Sequence, residues 1–175
     1  RVIGRRLDAT GVRHILEARS GPARSSPHAL RAVFITSAAR AMQQALAHAG
    51  LPASKVDYIN AHGTGTPLND VAESRAIASV FGAHTPPVSS IKGAIGHLMA
   101  ASGAMEAAAC LLPLLHDVLP GNCNLQQKDE QCEVNVIGAQ PVLLAGVAAA
   151  GQSACDATAN AADAPLALAP ANQAG

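Results

Sequence analysis

The chain has 175 residues, of which 49% are hydrophobic, 14% charged and only 2% aromatic. That length supports one domain with a genuine core, and a formal net charge of zero excludes a global attraction to nucleic acid or to an anionic membrane. Alanine and small aliphatic residues supply the apolar content, so the core is expected to rest on close backbone approach rather than on aromatic plugs. The low charge fraction predicts that much of the surface is covered by something else.

The first 28 residues are mixed in character, with Arg, Ser, Pro and Gly after a short apolar start. Eight of the twelve basic residues fall in the first forty positions: Arg1, Arg5, Arg6, Arg13, Arg19, Arg24, Arg31 and Arg40. This flank suits an acidic partner, but reads first as a solvated face or a poorly ordered leader. From about Pro27 to Ala49 the pattern turns helical, with Leu30, Val33, Phe34, Ser37, Ala38, Ala41, Met42, Ala45 and Leu46 at helical spacing. Gly50 and Pro52 stand where such a helix stops. Val56 to Asn60 reads as a short strand. Pro67 precedes a helix expected over Asn69 to Val80, with Asp70 and Glu73 as capping carboxylates at its positive end. Val88 to Ile91 reads as a second strand.

Gly96 to His116 reads as one helix with Ala, Ser, Gly, Leu and Met on nearly every face. A helix apolar all round is a buried one, so it is expected between two layers. It comes near the ~20 residues a membrane span needs, but His97, Glu106 and Pro113 interrupt it. Pro120-Gly121-Asn122 is a turn. Val134 to Ile137 and Pro141 to Ala149 read as strands, with a hairpin around Gly138. Residues 151–175 read as a weak last strand grading into an alanine-rich tail. The alternation of helices and strands describes an α/β protein. Four cysteines (Cys110, Cys123, Cys132, Cys155) show no CxxC spacing, which favours reduced thiols in a cytoplasmic protein over a disulfide frame.

Two histidines carry the chemistry. His62 leads the loop Gly63-Thr64-Gly65-Thr66, and His97 closes Lys92-Gly93-Ala94-Ile95-Gly96. Each follows a strand, and sites in open α/β sheets gather at the carboxyl ends of strands. His97 is expected at the start of the apolar helix, where the positive helix end disfavours imidazolium and keeps the ring a neutral N–H donor. Two such rings over one carbonyl suit stabilisation of an enolate oxygen. A zinc site on the same pair lacks a third ligand at useful spacing, so no metal is expected. The remaining histidines have no partner spacing.

The segments from Asn60 to Asp70, with Glu73, and from Ser89 to Gly103, with Glu106, closely resemble the two histidine motifs of the β-ketoacyl-acyl-carrier-protein synthases. Pro120, Asn124-Leu125, Asp129-Glu130 and Cys132 extend the resemblance, which covers roughly residues 30–140. It implies one half, the C-terminal one, of a thiolase-like α/β fold whose two halves form a five-layered sandwich. Domain limits follow as 1–28 for an arginine-rich leader, 29–150 for the ketosynthase C-terminal domain and 151–175 for a degenerate last strand and tail.

The resemblance also implies roles. His62 and His97 hold the thioester carbonyl of a malonyl group and promote its decarboxylation. Lys92 tunes the histidines, Glu106 supports that network, and Thr64 and Thr66 touch the phosphopantetheine arm. No further cofactor is implied, because the substrate rides on the phosphopantetheine of an acyl carrier protein. The implied partners are that carrier, the N-terminal half of the synthase or a synthase subunit, and a dimer mate. Nucleic acid and membrane are not expected.

The chain departs from the family pattern twice. The nucleophilic cysteine belongs to the N-terminal half, and none of the four cysteines replaces it. The glycine- and phenylalanine-rich loop near the family's end corresponds to Ser153 to Asn160, without Phe or Gly. The isolated chain is therefore expected to be inactive, and two rivals stand beside the enzyme reading. One is a non-catalytic synthase-like dimer partner; the other is a truncated fragment, suggested by the start at Arg1 and the alanine-rich tail.

Overall fold

The computed structural model describes residues 27–152 and the pair 167–168. The leader, Cys155 and the Ser153–Asn160 stretch lie outside the described residues. Helix α1 spans Pro27–Ala49. Gly50, at φ 66°, lets the chain turn left-handed, and Gly50 N–H and Leu51 N–H close on the Ala47 and Leu46 carbonyls. A 3-10 turn at Ala53–Lys55 leads into strand β1, Tyr58–Asn60. Helix α2, Pro67–Phe81, starts with Pro at its first position, where the missing N–H costs nothing. Strand β2 is Val88–Ser89.

A single turn, α3 (Lys92–Ile95), a 3-10 turn (Met99–Ala101) and helix α4 (Ser102–His116) follow. Strand β3 is Val118–Leu119, β4 is Val142–Leu143, β5 is Ala150–Gln152 and β6 is Ala167–Leu168.

The main sheet has the order β2-β1-β5-β6. Strands β1 and β2 run parallel with Ile59 opposite Val88, and β1 and β5 run parallel with Ile59 opposite Gly151. Strand β6 pairs with β5 antiparallel. Side chains alternate across the pleat, so β1 serves two cores. Ile59 joins Ala38 and Met42 of α1, Ala76, Ile77 and Phe81 of α2, and Val88 and Val134. Tyr58 joins Cys110 of α4, Leu119, Ile137, Val147 and Ala150. The result is a three-layer unit with α1 from Ile35 onward and α2 on one face, and α4 on the other. Asp57 ties the far end of the chain to β1, because its carboxylate accepts from Ala148 N–H at 2.8 Å and Ala149 N–H at 3.0 Å.

Four expectations change. The apolar helix begins at Ser102, not Gly96, because Gly96 (φ 76°) and Met99 (φ 52°) adopt left-handed backbone that no α-helix accommodates. It is buried on one face only: Ser102, Gly103, Glu106, Ala109, Cys110 and Pro113 are covered, while Met105, Leu111, Leu112 and Leu115 are exposed. The hairpin around Gly138 does not form. Val136 makes one parallel bridge to Val88, and β4 pairs antiparallel with β3 instead.

Finally, Met99–His116 is long and apolar enough to cross a membrane by length and composition, with a mean hydropathy of 1.3 over 18 residues. Only 33% of that window is buried, on the face that carries Glu106 and packs on the sheet.

Ile77 is completely buried between α2 and the sheet. Replacing it with alanine is expected to lower stability by about 2–5 kcal/mol. A urea midpoint indistinguishable from that of the unmodified protein would contradict this packing.

Candidate active site

Strands β1 and β2 are neighbours and parallel, so their carboxyl ends lie side by side. His62 follows β1 by two residues and Lys92 follows β2 by three. The structure thus brings together residues that stand thirty positions apart. Gly63 is required where the two loops meet. Its φ is 45°, and a Cβ there would collide with the Ser90 side chain. Ser90 Oγ donates to the His62 carbonyl at 3.3 Å. Gly93 abuts the Cys123 backbone carbonyl with no room for a side chain, which seats α3 against the Cys123 loop.

Lys92 and Glu106 form a buried ion pair, and Lys92 Nζ lies 3.1 Å from His62 Nδ1. An ammonium only donates, so His62 Nδ1 accepts and Nε2 carries the proton. His97 resolves in the same way. Met99 N–H donates to His97 Nδ1 at 3.1 Å, and a backbone N–H cannot accept. Nδ1 is therefore unprotonated and Nε2–H is the donor. The two rings meet edge to face, with centroids 5.2 Å apart and planes at 84°. His62 is buried and His97 is exposed. His97 does not sit at the helix start; a backbone N–H donor, rather than the helix dipole, sets which ring nitrogen accepts.

Glu73 overturns the capping expectation. Its carboxylate accepts from His62 N–H at 2.8 Å and Gly63 N–H at 2.9 Å, with Asn69 Nδ2 at 3.4 Å. Asp70 likewise accepts from Gly65 N–H at 3.2 Å. Thr66 caps α2 with no side-chain bond. These carboxylates hold the histidine loop onto α2 rather than closing the helix. Thr64 and Thr66 Oγ1 lie 3.0 Å apart at the exposed rim of that loop. A cavity of about 550 Å³ runs from His97 and Lys92 past Thr64 and Gly65 to Asp129 and Cys132. Among the described residues no cluster of His, Cys, Asp and Glu is arranged to hold a metal ion.

Beneath the site a buried chain runs from Asn60 Nδ2 to Tyr58 OH at 3.1 Å, and from Tyr58 OH to Ser89 Oγ at 2.8 Å. Burial pushes the Tyr58 hydroxyl well above its usual range. Burial also pushes the Cys110 thiol up to about 12, and its Sγ donates to the Gly151 carbonyl at 3.4 Å. A thiol so placed is a packing residue and not a nucleophile. Cys132 is raised too, by burial first and then by the Asp129 carboxylate, while Cys123 is exposed.

The parallel α/β unit thus brings two imidazoles edge to face beyond the carboxyl ends of neighbouring strands. The family described as "Beta-ketoacyl synthase, C-terminal domain" matches residues 22–126, more than half of the chain, and the chain belongs to it. The 3-oxoacyl-[acyl-carrier-protein] synthase 2 of Synechocystis sp. is 43% identical over 105 residues, which cover 59% of this chain and 25% of that protein.

Among solved structures, the ishigamide ketosynthase/chain length factor aligns with a TM-score of 0.62 at 36% identity, covering 65% of this chain and 28% of that one. A type II polyketide ketosynthase in complex with its acyl-carrier protein aligns at 0.62 and 33%, covering 66% and 28%. The fold is thus one half of the thiolase-like architecture, and the relatives serve fatty acid and polyketide synthesis. The chain spans about a quarter of the length of the curated relatives it matches.

Removing one member of a buried ion pair strands the other's charge. Glu106→Ala is expected to cost about 3–5 kcal/mol, whereas Lys92→Met with Glu106→Leu recovers most of that stability. Urea unfolding of the single and double variants checks the pair; equal losses in both would contradict it. At pH 8, of the three described cysteines, Cys123 is expected to react first with a thiol reagent and Cys110 last. Rapid native-state labelling of Cys110, read by peptide mass, would show that its burial is wrong.

Proposed function

We propose that this chain supplies the decarboxylating half of a β-ketoacyl synthase. His62 and His97 hold the thioester carbonyl of a malonyl group carried on the phosphopantetheine of an acyl carrier protein. The bond to the carboxylate breaks and carbon dioxide leaves. The bonding pair passes to the α-carbon and the carbonyl oxygen, where two Nε2–H groups meet the developing charge. The enolate carbon then attacks an acyl thioester held on a cysteine, and that thiolate is the leaving group. In this reading the cysteine belongs to the N-terminal half, within the roughly three quarters of the relatives' length that this chain does not match.

One observation carries the reading: both histidines have donors on Nδ1, so both offer Nε2–H. Lys92 and Glu106 fix the first ring, and Thr64 and Thr66 sit where the arm would enter. The exposed apolar face of α4 supports packing against the N-terminal half, because Met105, Leu111, Leu112 and Leu115 form a stripe wider than scattered surface residues explain. The acyl carrier protein, a dimer mate and a cytoplasmic setting belong to the same proposal, and so does the inactivity of the isolated chain. The carrier complex of a related ketosynthase supports the first of these.

The rival reading, a non-catalytic dimer partner, draws on the ketosynthase/chain length factor relative. The intact His62, Lys92 and His97 set favours the enzyme over it.

Titration of the full-length protein with malonyl-carrier protein, followed by carbon dioxide release, tests the reading. His97→Ala is expected to reduce release on the order of 10²-fold, the cost of one oxyanion donor. Release untouched by that substitution sinks the histidine role.

A further inference from the structure

We propose that Ser102 is a positioning residue for His97, holding its ring in the tautomer that presents Nε2–H. The inference rests on the decarboxylation reading. Ser102 Oγ lies 3.1 Å from His97 Nδ1, and the serine is buried at the first residue of α4. A hydroxyl can donate or accept, so this contact alone is ambiguous. Met99 N–H removes the ambiguity. It donates to the same nitrogen at 3.1 Å, so Nδ1 is the acceptor and Ser102 must donate. One lone pair therefore receives two donors from opposite ends of the 3-10 turn.

The second donor matters because the first is poorly supported. Met99 is a non-glycine residue at φ 52°, 72% exposed, in a three-residue turn. Such backbone is strained and persists only where its surroundings hold it. Ser102 is different, because α4 packs on the sheet and fixes its Cα. The serine forgoes helix capping to do this: Ala101 is the residue that caps α4, and it makes no side-chain bond. With both donors in place, flipping the ring or moving its proton breaks two bonds rather than one. His62 stands edge to face with His97 and takes its own orientation from Lys92, so neither ring relies on the other for its tautomer.

The test uses full-length protein labelled with 15N-histidine, with His97→Gln identifying the His97 signals. The expected spectrum shows Nδ1 unprotonated and Nε2 protonated. Ser102→Ala is expected to average the two nitrogens and to lower kcat for decarboxylation on the order of 3- to 10-fold with KM unchanged, the loss of one hydrogen bond. Alanine is the best helix former, so α4 itself is not weakened. Ser102→Thr, which keeps the hydroxyl, is expected to restore both readouts.

A protonated Nδ1 in the unmodified protein overturns the proposal, even if the alanine variant fails to fold. So does a folded Ser102→Ala protein with unchanged spectrum and kcat. Failure of the reaction itself is separable, because the tautomer is read without substrate.

Discussion

The buried pairing of Lys92 with Glu106 is the constraint on which the site depends. Two charges withdrawn from water cost several kcal/mol each and are tolerated only when they satisfy one another closely. Lys92 comes from the exit of β2, and Glu106 from one turn inside α4. Their contact fixes how the helix lies against the sheet. The same ammonium reaches His62 from the exit of β1. Three elements are therefore tied to one cation. The geometry of the first imidazole is inherited from the packing of the core rather than from its own flexible loop. That arrangement explains why an α-helix of such apolar composition carries a glutamate on its buried face.

A second carboxylate works on the backbone instead of on a side chain. Glu73 accepts both N–H groups at the start of the glycine loop, so the loop is clamped to α2. A buried acid without these donors would be costly, and two unpaired N–H groups would be costly too. Each resolves the other's demand. The glycines follow from the same closeness, because Gly63 lies against Ser90 with no space for a Cβ. Loop and helix therefore form one rigid support, with the threonines left at its open rim.

Much of this was legible in the sequence, and what was not has identifiable causes. The strands before each histidine were visible because short β-rich runs end in glycine loops, and the motifs place His62, Lys92, His97 and Glu106 together by resemblance. The start of α4 was misread because Met99 gives no signal of its left-handed backbone, so the apolar run looked continuous from Gly96. Glu73 was misread because a carboxylate in the first turn of a helix has the same sequence signature whether it caps that helix or holds a neighbouring loop. The hairpin around Gly138 failed for a different reason. Alternation shows that a segment is extended but not which strand it meets, and β4 and β5 both pair with partners far away in sequence.

The asymmetry between the two histidines follows from how they are held. His62 is buried, with its backbone N–H on Glu73 and its Nδ1 on Lys92. His97 is exposed, and so are Ile95, Leu98 and Met99 around it. A hydrogen-bond donor gains most where water is excluded, since it is worth far more at low dielectric. The covered histidine already has that environment. The open one is held by backbone instead, through Met99 N–H, and still borders water.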